Sequence, residues 1–331
     1  RAPRFDEAVV IVDTDVPDVP EVETDLQVVE VSESRQRDGD RVATPVAVLD
    51  PLTELYQALV TATGDYVRKS GFTDVSLGLS GGIDSALVAT VAADALGAEH
   101  VHVVLMPSRY SSDHSVVDAE ELATNLGIDT LTVPIESAHT ALSSELVSSI
   151  TGTLTSVADE NLQARIRGVM LMSLSNTFDW LVLTTGNKSE AAVGYSTLYG
   201  DTVGAYAPIK DVYKTVVYEL VRWRNERDGA PVVPVSILKK APSAELRPNQ
   251  RDDDSLPRYE VLDPLLEAYI EGDRTRVELV SDGFDADLVE EVVRLVDRAE
   301  FKRRQNPPGV RVTQKGFGRD RRLPLVNRYR G

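Results

Sequence analysis

Cysteine is absent from this 331-residue chain. That excludes disulfides, thiolate nucleophiles and cysteine-ligated metals together, and it fits a reducing, cytoplasmic setting. Histidine is nearly as scarce. His100, His102, His114 and His139 show no H-E-x-x-H or other paired spacing, so they read as surface or strand residues rather than metal ligands. No apolar run approaches the roughly 20 residues that span a bilayer. No charged and then apolar leader opens the chain, which does not begin with Met and reads as a fragment or a processed chain. Positive charge is in deficit: 35 Lys and Arg face 53 Asp and Glu, a formal net charge of −18. Such a field repels nucleic acid and anionic lipid, so neither nucleic acid nor membrane is an expected partner. An anionic nucleotide would have to be met by local Lys, Arg, backbone N–H groups and Mg²⁺. The excess acid itself reads as solubility or adaptation to salt.

What is present is a long alternation of strand and helix patterns. Residues 1–45 stand apart: one apolar strand, Ala8–Val12, then an acidic, Pro-rich stretch without sustained period that reads as an arm or linker. A helix is expected from Pro51 to Ser70, with Leu52, Leu55, Tyr56, Leu59 and Val60 at helical spacing. Strands are expected at Val75–Leu79, Val101–Met106, Thr130–Pro134 and Trp180–Thr184. Helices are expected at Ile83–Leu96, Ser115–Leu126, Thr140–Ile150 and Ala158–Thr177. This is the pattern of an α/β fold: a doubly wound, Rossmann-like parallel sheet with helices on both faces. Beyond Gly229 the strand signal fades. A long loop at 239–258 precedes expected helices at Leu262–Glu271 and Asp287–Phe301 and a basic tail, 302–331.

The run Gly78-Leu79-Ser80-Gly81-Gly82-Ile83-Asp84-Ser85 sits where the first of these strands breaks and a helix restarts. Gly81 and Gly82 free their N–H groups to wrap an anion, and the helix points its positive end at the same spot. Asp84 and Ser85 in the first turn can hold a metal ion and a further oxyanion, which makes the turn a pyrophosphate cradle. A Walker-type loop is excluded because the turn contains no Lys. The spacing also satisfies G-x-S-x-G, the nucleophile elbow of α/β-hydrolases. The last His is His139, however, so most of the sheet would follow a triad that had already closed.

Several separated segments resemble one family. They are Met106-Pro107-Ser108-Arg109-Tyr110-Ser111-Ser112, Asn161-Leu162-Gln163-Ala164-Arg165, Thr184-Thr185-Gly186-Asn187-Lys188-Ser189-Glu190, Tyr199-Gly200-Asp201, Pro242-Ser243-Ala244-Glu245-Leu246 and Phe301-Lys302-Arg303-Arg304-Gln305. With the Ser80 loop, and in this order over about 50–315, they resemble the synthetase (ATP pyrophosphatase) domain of glutamine-dependent NAD⁺ synthetases. The resemblance implies an adenine nucleotide α-hydrolase-like fold over 46–331, with 239–258 as a catalytic lid. It also implies that 1–45 is the end of a nitrilase-like amidase domain plus a linker. Homo-oligomers are implied too, with ammonia supplied free or by an N-terminal glutaminase domain.

The implied reaction is amidation of deamido-NAD⁺. ATP adenylates the nicotinate carboxylate and releases pyrophosphate, and ammonia then displaces AMP. On this resemblance the ATP site is Gly78, Leu79, Ser80, Gly81, Gly82, Ile83, Asp84, Ser85, Thr185, Lys214 and Ser243, with Asp84, Lys214 and Ser243 catalytic. Asp84 and Glu190 are the Mg²⁺ ligands, since a hard cation bridging phosphates takes carboxylate oxygens. Asn161, Arg165, Glu190 and Lys302 face deamido-NAD⁺. Plainer roles stand beside these: a solvated helix charge for Lys214, strand-end capping for Thr185, an i,i+4 partner for Arg165 and the start of the tail for Lys302. Leu198 and Phe301 depart from the smaller ammonia-dependent enzymes, which have Lys and His at the two positions. Another N-type ATP pyrophosphatase resembling GMP synthetase, or a nucleotide-binding module without turnover, remains an alternative.

Overall fold

The computed structural model describes residues 3–5, 7–9 and 48–325. Two compact units divide the chain, 1–50 and 51–331; the expected division at 45/46 lies outside the described residues. In the first unit the expected strand lies outside the described residues beyond Val9, and the arm 17–45 lies outside them entirely.

The second unit opens with α1 (Pro51–Lys69), whose Tyr56, Leu59, Thr63 and Val67 form one buried face. Then come β1 (Val75–Gly78), α2 (Ile83–Leu96), β2 (Val101–Leu105), α3 (Asp113–Leu126) and β3 (Thr130–Thr132). α4 (Glu136–Ser149), α5 (Ser156–Phe178) and β4 (Leu181–Val182) follow. The strands form one parallel sheet in the order β3-β2-β1-β4, with Val75 opposite Val101 and Leu181, and Val103 opposite Thr130. Period-two alternation sorts their side chains onto two faces. Val75, Leu77, Val101, Val103 and Leu105 pack with α1, α2, α3 and α7 (Lys214–Arg227). Val104, Met106 and Val182 pack on the opposite face with residues of α4 and α5. The expected doubly wound architecture is therefore observed.

Between β4 and α7 lies α6 (Lys188–Val193), and after α7 comes α8 (Val235–Lys239). A helical extension follows: α9 (Tyr259–Ile270), α10 (Arg276–Ser281), α11 (Ala286–Arg298) and α12 (Glu300–Arg303). In α11, Val289, Val292, Val293 and Val296 recur at helical spacing and bury against α6, α9 and α10. Described residues after α12 pack down onto the 207–211 segment. Val312 and Thr313 donate their N–H groups to Asp211 Oδ2 at 2.9 Å, and Ala207 N–H bonds Pro308 O at 2.8 Å. Among the described residues no helix is long and apolar enough to cross a membrane.

The strand order decides where a ligand can sit. The chain leaves β1 toward β2 and β3, then returns to lay β4 on the other side of β1. Such a reversal opens a crevice at the carboxyl ends of β1 and β4. The Ser80 turn and the Thr184–Asn187 loop leave from those two ends.

Candidate active site

A cavity of about 320 Å³ lies at this crevice. Its floor is built from the Ser80 turn, and the turn is tied together internally. Ser80 N–H and Oγ approach Ser85 Oγ at 3.3 and 3.1 Å, Ser85 Oγ donates to Gly82 O, and Gly82 N–H donates to Ser80 Oγ. Gly81 has φ of +73°, which disfavours any other residue, and a Cβ there would lie 2.2 Å from Ser115 O of α3. Gly81 thus packs the turn against α3. Gly78, Leu79, Ser80, Gly82, Ile83, Asp84 and Ser85 line the cavity, as do Thr185, Glu190, Lys214 and Ser243.

Opposite charges converge on one point of the floor. Lys214 at the start of α7 is buried, and its Nζ donates to Asp84 Oδ2 at 2.5 Å and to Glu190 Oε1 at 3.2 Å. Burial alone would lower the Lys214 ammonium, but the two carboxylates outweigh it and hold the group protonated well above its ordinary value. Burial raises Glu190 in turn, against the pull of Lys214. Asn187 fixes both carboxylates. Its Oδ1 caps α6 by accepting from Glu190 N–H at 3.0 Å, while its Nδ2 donates to Asp84 Oδ1 at 2.9 Å.

The roof comes from the 239–258 loop, which carries the short 3₁₀ turn Asp252–Asp254. Ser243 lines the cavity, yet its hydroxyl serves the loop, donating to Gln250 O at 2.6 Å and accepting from Glu245 N–H at 3.1 Å. Asp252 is buried against the cavity, bonded by the Tyr259 hydroxyl at 3.0 Å. From the sheet side, Arg167 reaches the cavity with its Nε on Met106 O at 3.0 Å. Burial lowers this guanidinium to about 10, which leaves it charged at neutral pH.

Of the residues expected on the second substrate, Glu190 lies in the cavity, and the other three gather behind the segment 194–202, whose Tyr195, Ser196, Gly200, Asp201 and Thr202 line it. Asn161 Oδ1 accepts from Thr197 Oγ1 at 2.6 Å, and Arg165 Nε donates to Leu198 O at 3.2 Å. Lys302 Nζ donates to Gly194 O and Ser196 O at 2.8 and 2.6 Å. None of the three lines the main cavity. Arg165, expected on the substrate, is exposed, whereas Arg167, with no expected role, lines the cavity. The signal was available: Ala164, Gly168 and Leu171 recur as the buried stripe of α5, and Arg167 flanks that stripe while Arg165 points away.

As a metal centre the site is sparse. Among the described residues, no group of three His, Cys, Asp or Glu stands together to hold an ion. Asp84 and Glu190 bring two carboxylates to one point, both bridged by Lys214. That donor set suits a hard dication only if nucleotide oxygens or water complete the shell.

Three comparisons bear on this arrangement. The NAD synthase family profile matches residues 55–306. The chain is 51 % identical over 86 % of its length to the glutamine-dependent NAD(+) synthetase of Acinetobacter baylyi, covering 53 % of that protein. It is 48 % identical over 92 % of its length to the Thermotoga maritima protein of the same name, again covering 53 % of it. The chain thus spans about half the length of the curated relatives it matches. A solved glutamine-dependent NAD⁺ synthetase from Acinetobacter baumannii, in complex with adenosine diphosphate, is 48 % identical with a TM-score of 0.59. That match covers 86 % of this chain and 51 % of the other. The profile runs from α1 through α12 and so takes in the Ser80 turn, Asn187, Glu190, Lys214 and the roof loop alike; the chain belongs to the NAD synthase family.

Proposed function

We propose that this domain carries out the ATP-dependent amidation of deamido-NAD⁺ to NAD⁺, releasing AMP and pyrophosphate. The observation that carries the reading is Lys214 held between Asp84 and Glu190 beside the Ser80 turn, at the crevice where β1 and β4 diverge. A carboxylate resists attack by ammonia, so it must first be activated. In the first step a nicotinate oxygen forms a bond to the α-phosphorus of ATP and the bond to the β,γ-pyrophosphate breaks. In the second, ammonia forms the C–N bond, the C–O bond to AMP breaks, and the surplus proton passes to solvent.

The protein's part is to position and neutralise. Ser80, Gly82 and Ser85 present hydroxyl and N–H donors to the departing pyrophosphate, and Lys214 supplies a fixed positive charge beside them. Asp84 and Glu190 would hold Mg²⁺ on the phosphate oxygens, and bound there it would neutralise the leaving group. Thr185 meets the nucleoside, Ser243 shapes the roof, and Asn161, Arg165 and Lys302 serve the deamido-NAD⁺ side along 194–202. No side-chain nucleophile is required, which suits a chain without cysteine. Ammonia then enters from solution or from a glutaminase partner. The exposed Leu142, Leu146 and Val147 of α4 and Val169 of α5 suit self-association into a dimer or larger assembly.

The test is pyrophosphate release with Mg-ATP, ammonium and either deamido-NAD⁺ or XMP, with Asp84→Ala as control. Release that requires deamido-NAD⁺, accumulates NAD⁺ and vanishes in Asp84→Ala is the expected result. Release with XMP alone would transfer the site to a GMP synthetase-like reaction, and silence with both would leave a binding module.

A further inference from the structure

Glu245 is placed at a cost that its packing alone does not explain. Its φ is +50°, a left-handed conformation that Gly or Asn adopts far more readily. From there its carboxylate crosses to the N-terminus of α3, 130 residues away in sequence, and engages four donors. Oε1 accepts from Ser112 Oγ at 3.0 Å, Ser115 Oγ at 2.7 Å and Lys240 Nζ at 2.8 Å, and Oε2 accepts from Ser112 N–H at 3.3 Å. Lys240 also reaches Ser115 Oγ, which closes the cluster. Burial alone would raise Glu245, but Lys240 and the two serine hydroxyls outweigh it and keep it ionised.

The geometry points to Glu245 as the positioning residue that latches the 239–258 loop shut over the nucleotide cavity and so keeps water from the adenylate. The inference rests on the proposed function. Three relationships carry it. First, the roof residues Lys240, Ser243 and Asp252 all follow from where this loop is docked. Second, the next residue docks too: Leu246 O accepts from Gln163 Nε2 at 3.0 Å, and Gln163 is fully buried in α5. Third, the receptor is not an arbitrary surface, because Ser115 is also the residue against which Gly81 packs. Latch and phosphate turn therefore share one wall. With the loop away, solvent reaches the carbonyl of the adenylate; water attacks it, the bond to AMP breaks, and deamido-NAD⁺ returns with ATP spent.

Two readouts test this on the chain as it stands, using Glu245→Gln and Glu245→Gly. The Gln variant removes charge at constant reach. The Gly variant relieves the φ of +50°, so backbone strain cannot account for a loss. The first readout is amide exchange of the Leu246 segment, with α2 as an internal reference. Losing a charge-assisted latch should open the loop roughly tenfold more often in both variants. Unchanged exchange overturns the latch. The second readout is the ratio of AMP to NAD⁺ formed at limiting ammonium. It should stand near one in the wild type and rise to several in both variants, by about the same factor as the opening. A ratio that stays at one while the rate falls overturns the protective role. A wild type that forms no AMP ends the proposed function instead, and the exchange comparison then decides the latch by itself.

Discussion

The ammonium of Lys214 and the carboxylate of Asp84, 130 residues apart in sequence, meet at 2.5 Å on the floor of the cavity. Removing the cation takes away the positive charge that would offset the pyrophosphate in the proposed reaction, and it pushes Glu190, already raised by burial against the pull of Lys214, further toward the neutral acid. Lys214→Met should therefore lower turnover roughly 100-fold or more, the scale of losing one preorganised oxyanion partner. The stability loss should be smaller than for a fully buried pair, about 2 kcal/mol, because Asp84 and Glu190 keep 17 % and 19 % of their side-chain exposure. Steady-state pyrophosphate release and thermal melting separate the two effects. Melting that collapses with no loss of turnover per folded molecule would contradict the assignment.

Gly81 and Gly82 are adjacent but answer to different constraints. Gly81→Ala meets both an unfavourable φ and Ser115 O, and should destabilise the fold by about 1–3 kcal/mol. Gly82→Ala has an extended φ of −95° and meets only Ser80 Oγ at 3.2 Å, so it should fold normally and weaken nucleotide binding alone. Melting curves with and without ATP check the contrast, and equal melting temperatures for the two variants would refute it.

Lys188 is fully buried with all three ammonium protons in use. It donates to Glu271 Oε1 at 3.0 Å, Thr313 Oγ1 at 2.5 Å and Lys315 O at 3.0 Å, and lies 2.9 Å from Asp211 Oδ1. Those contacts tie α6, the end of α9 and the 313–315 segment to one point. Lys188→Met strands two nearly buried carboxylates and should cost about 3–5 kcal/mol. Limited proteolysis should cut first in the 313–315 segment of the variant; a cleavage pattern unchanged from wild type would refute the tie.

The loop latch has a definite sign in pH. Glu245 is held below its ordinary value of 4.5, so its contribution is fully present above that value and is lost as pH falls through the lowered one. Protection factors of the Leu246 segment in the wild type should fall toward those of Glu245→Gln as the solution is acidified past pH 4.5. Above that value the gap between them should stay constant. A gap that persists undiminished in acid would mean that the charge is not what holds the loop.

Much of the sheet was legible because period-two strands and glycine turns are local signals. β1, the Ser80 turn and α2 fall within a residue or two of expectation. β4 is shorter than the expected 180–184, since Thr184 N–H turns away to Tyr206 O and leaves only Leu181 and Val182 in the ladder. α7 has no expected bounds beyond the helix charge at Lys214, although Val217, Leu220, Val221 and Arg224 carry helical spacing. The run Val216-Val217-Tyr218 favours a strand locally, and Arg224 looks like surface until Asp94 binds its Nε and Nη2 at 2.9 and 3.0 Å. In the site, the floor was readable from one continuous motif. The Glu245 latch was not, because nothing in the spacing of Ser112, Ser115 and Glu245 foretells that they meet.

Asp84, Asn187 and Lys214 belong to α2, α6 and α7, and they meet only after the chain has threaded three strands outward and returned with the fourth. Bringing such distant residues together costs loop-closure entropy that the native contacts must offset. The site is therefore complete only in the native topology. If the site takes ATP as proposed, a ligand that binds only the native state adds by mass action about 2.7 kcal/mol to stability at 100 times its dissociation constant. On the proposed function, cells rich in ATP would hold more of this protein in its native state than the chain secures unaided.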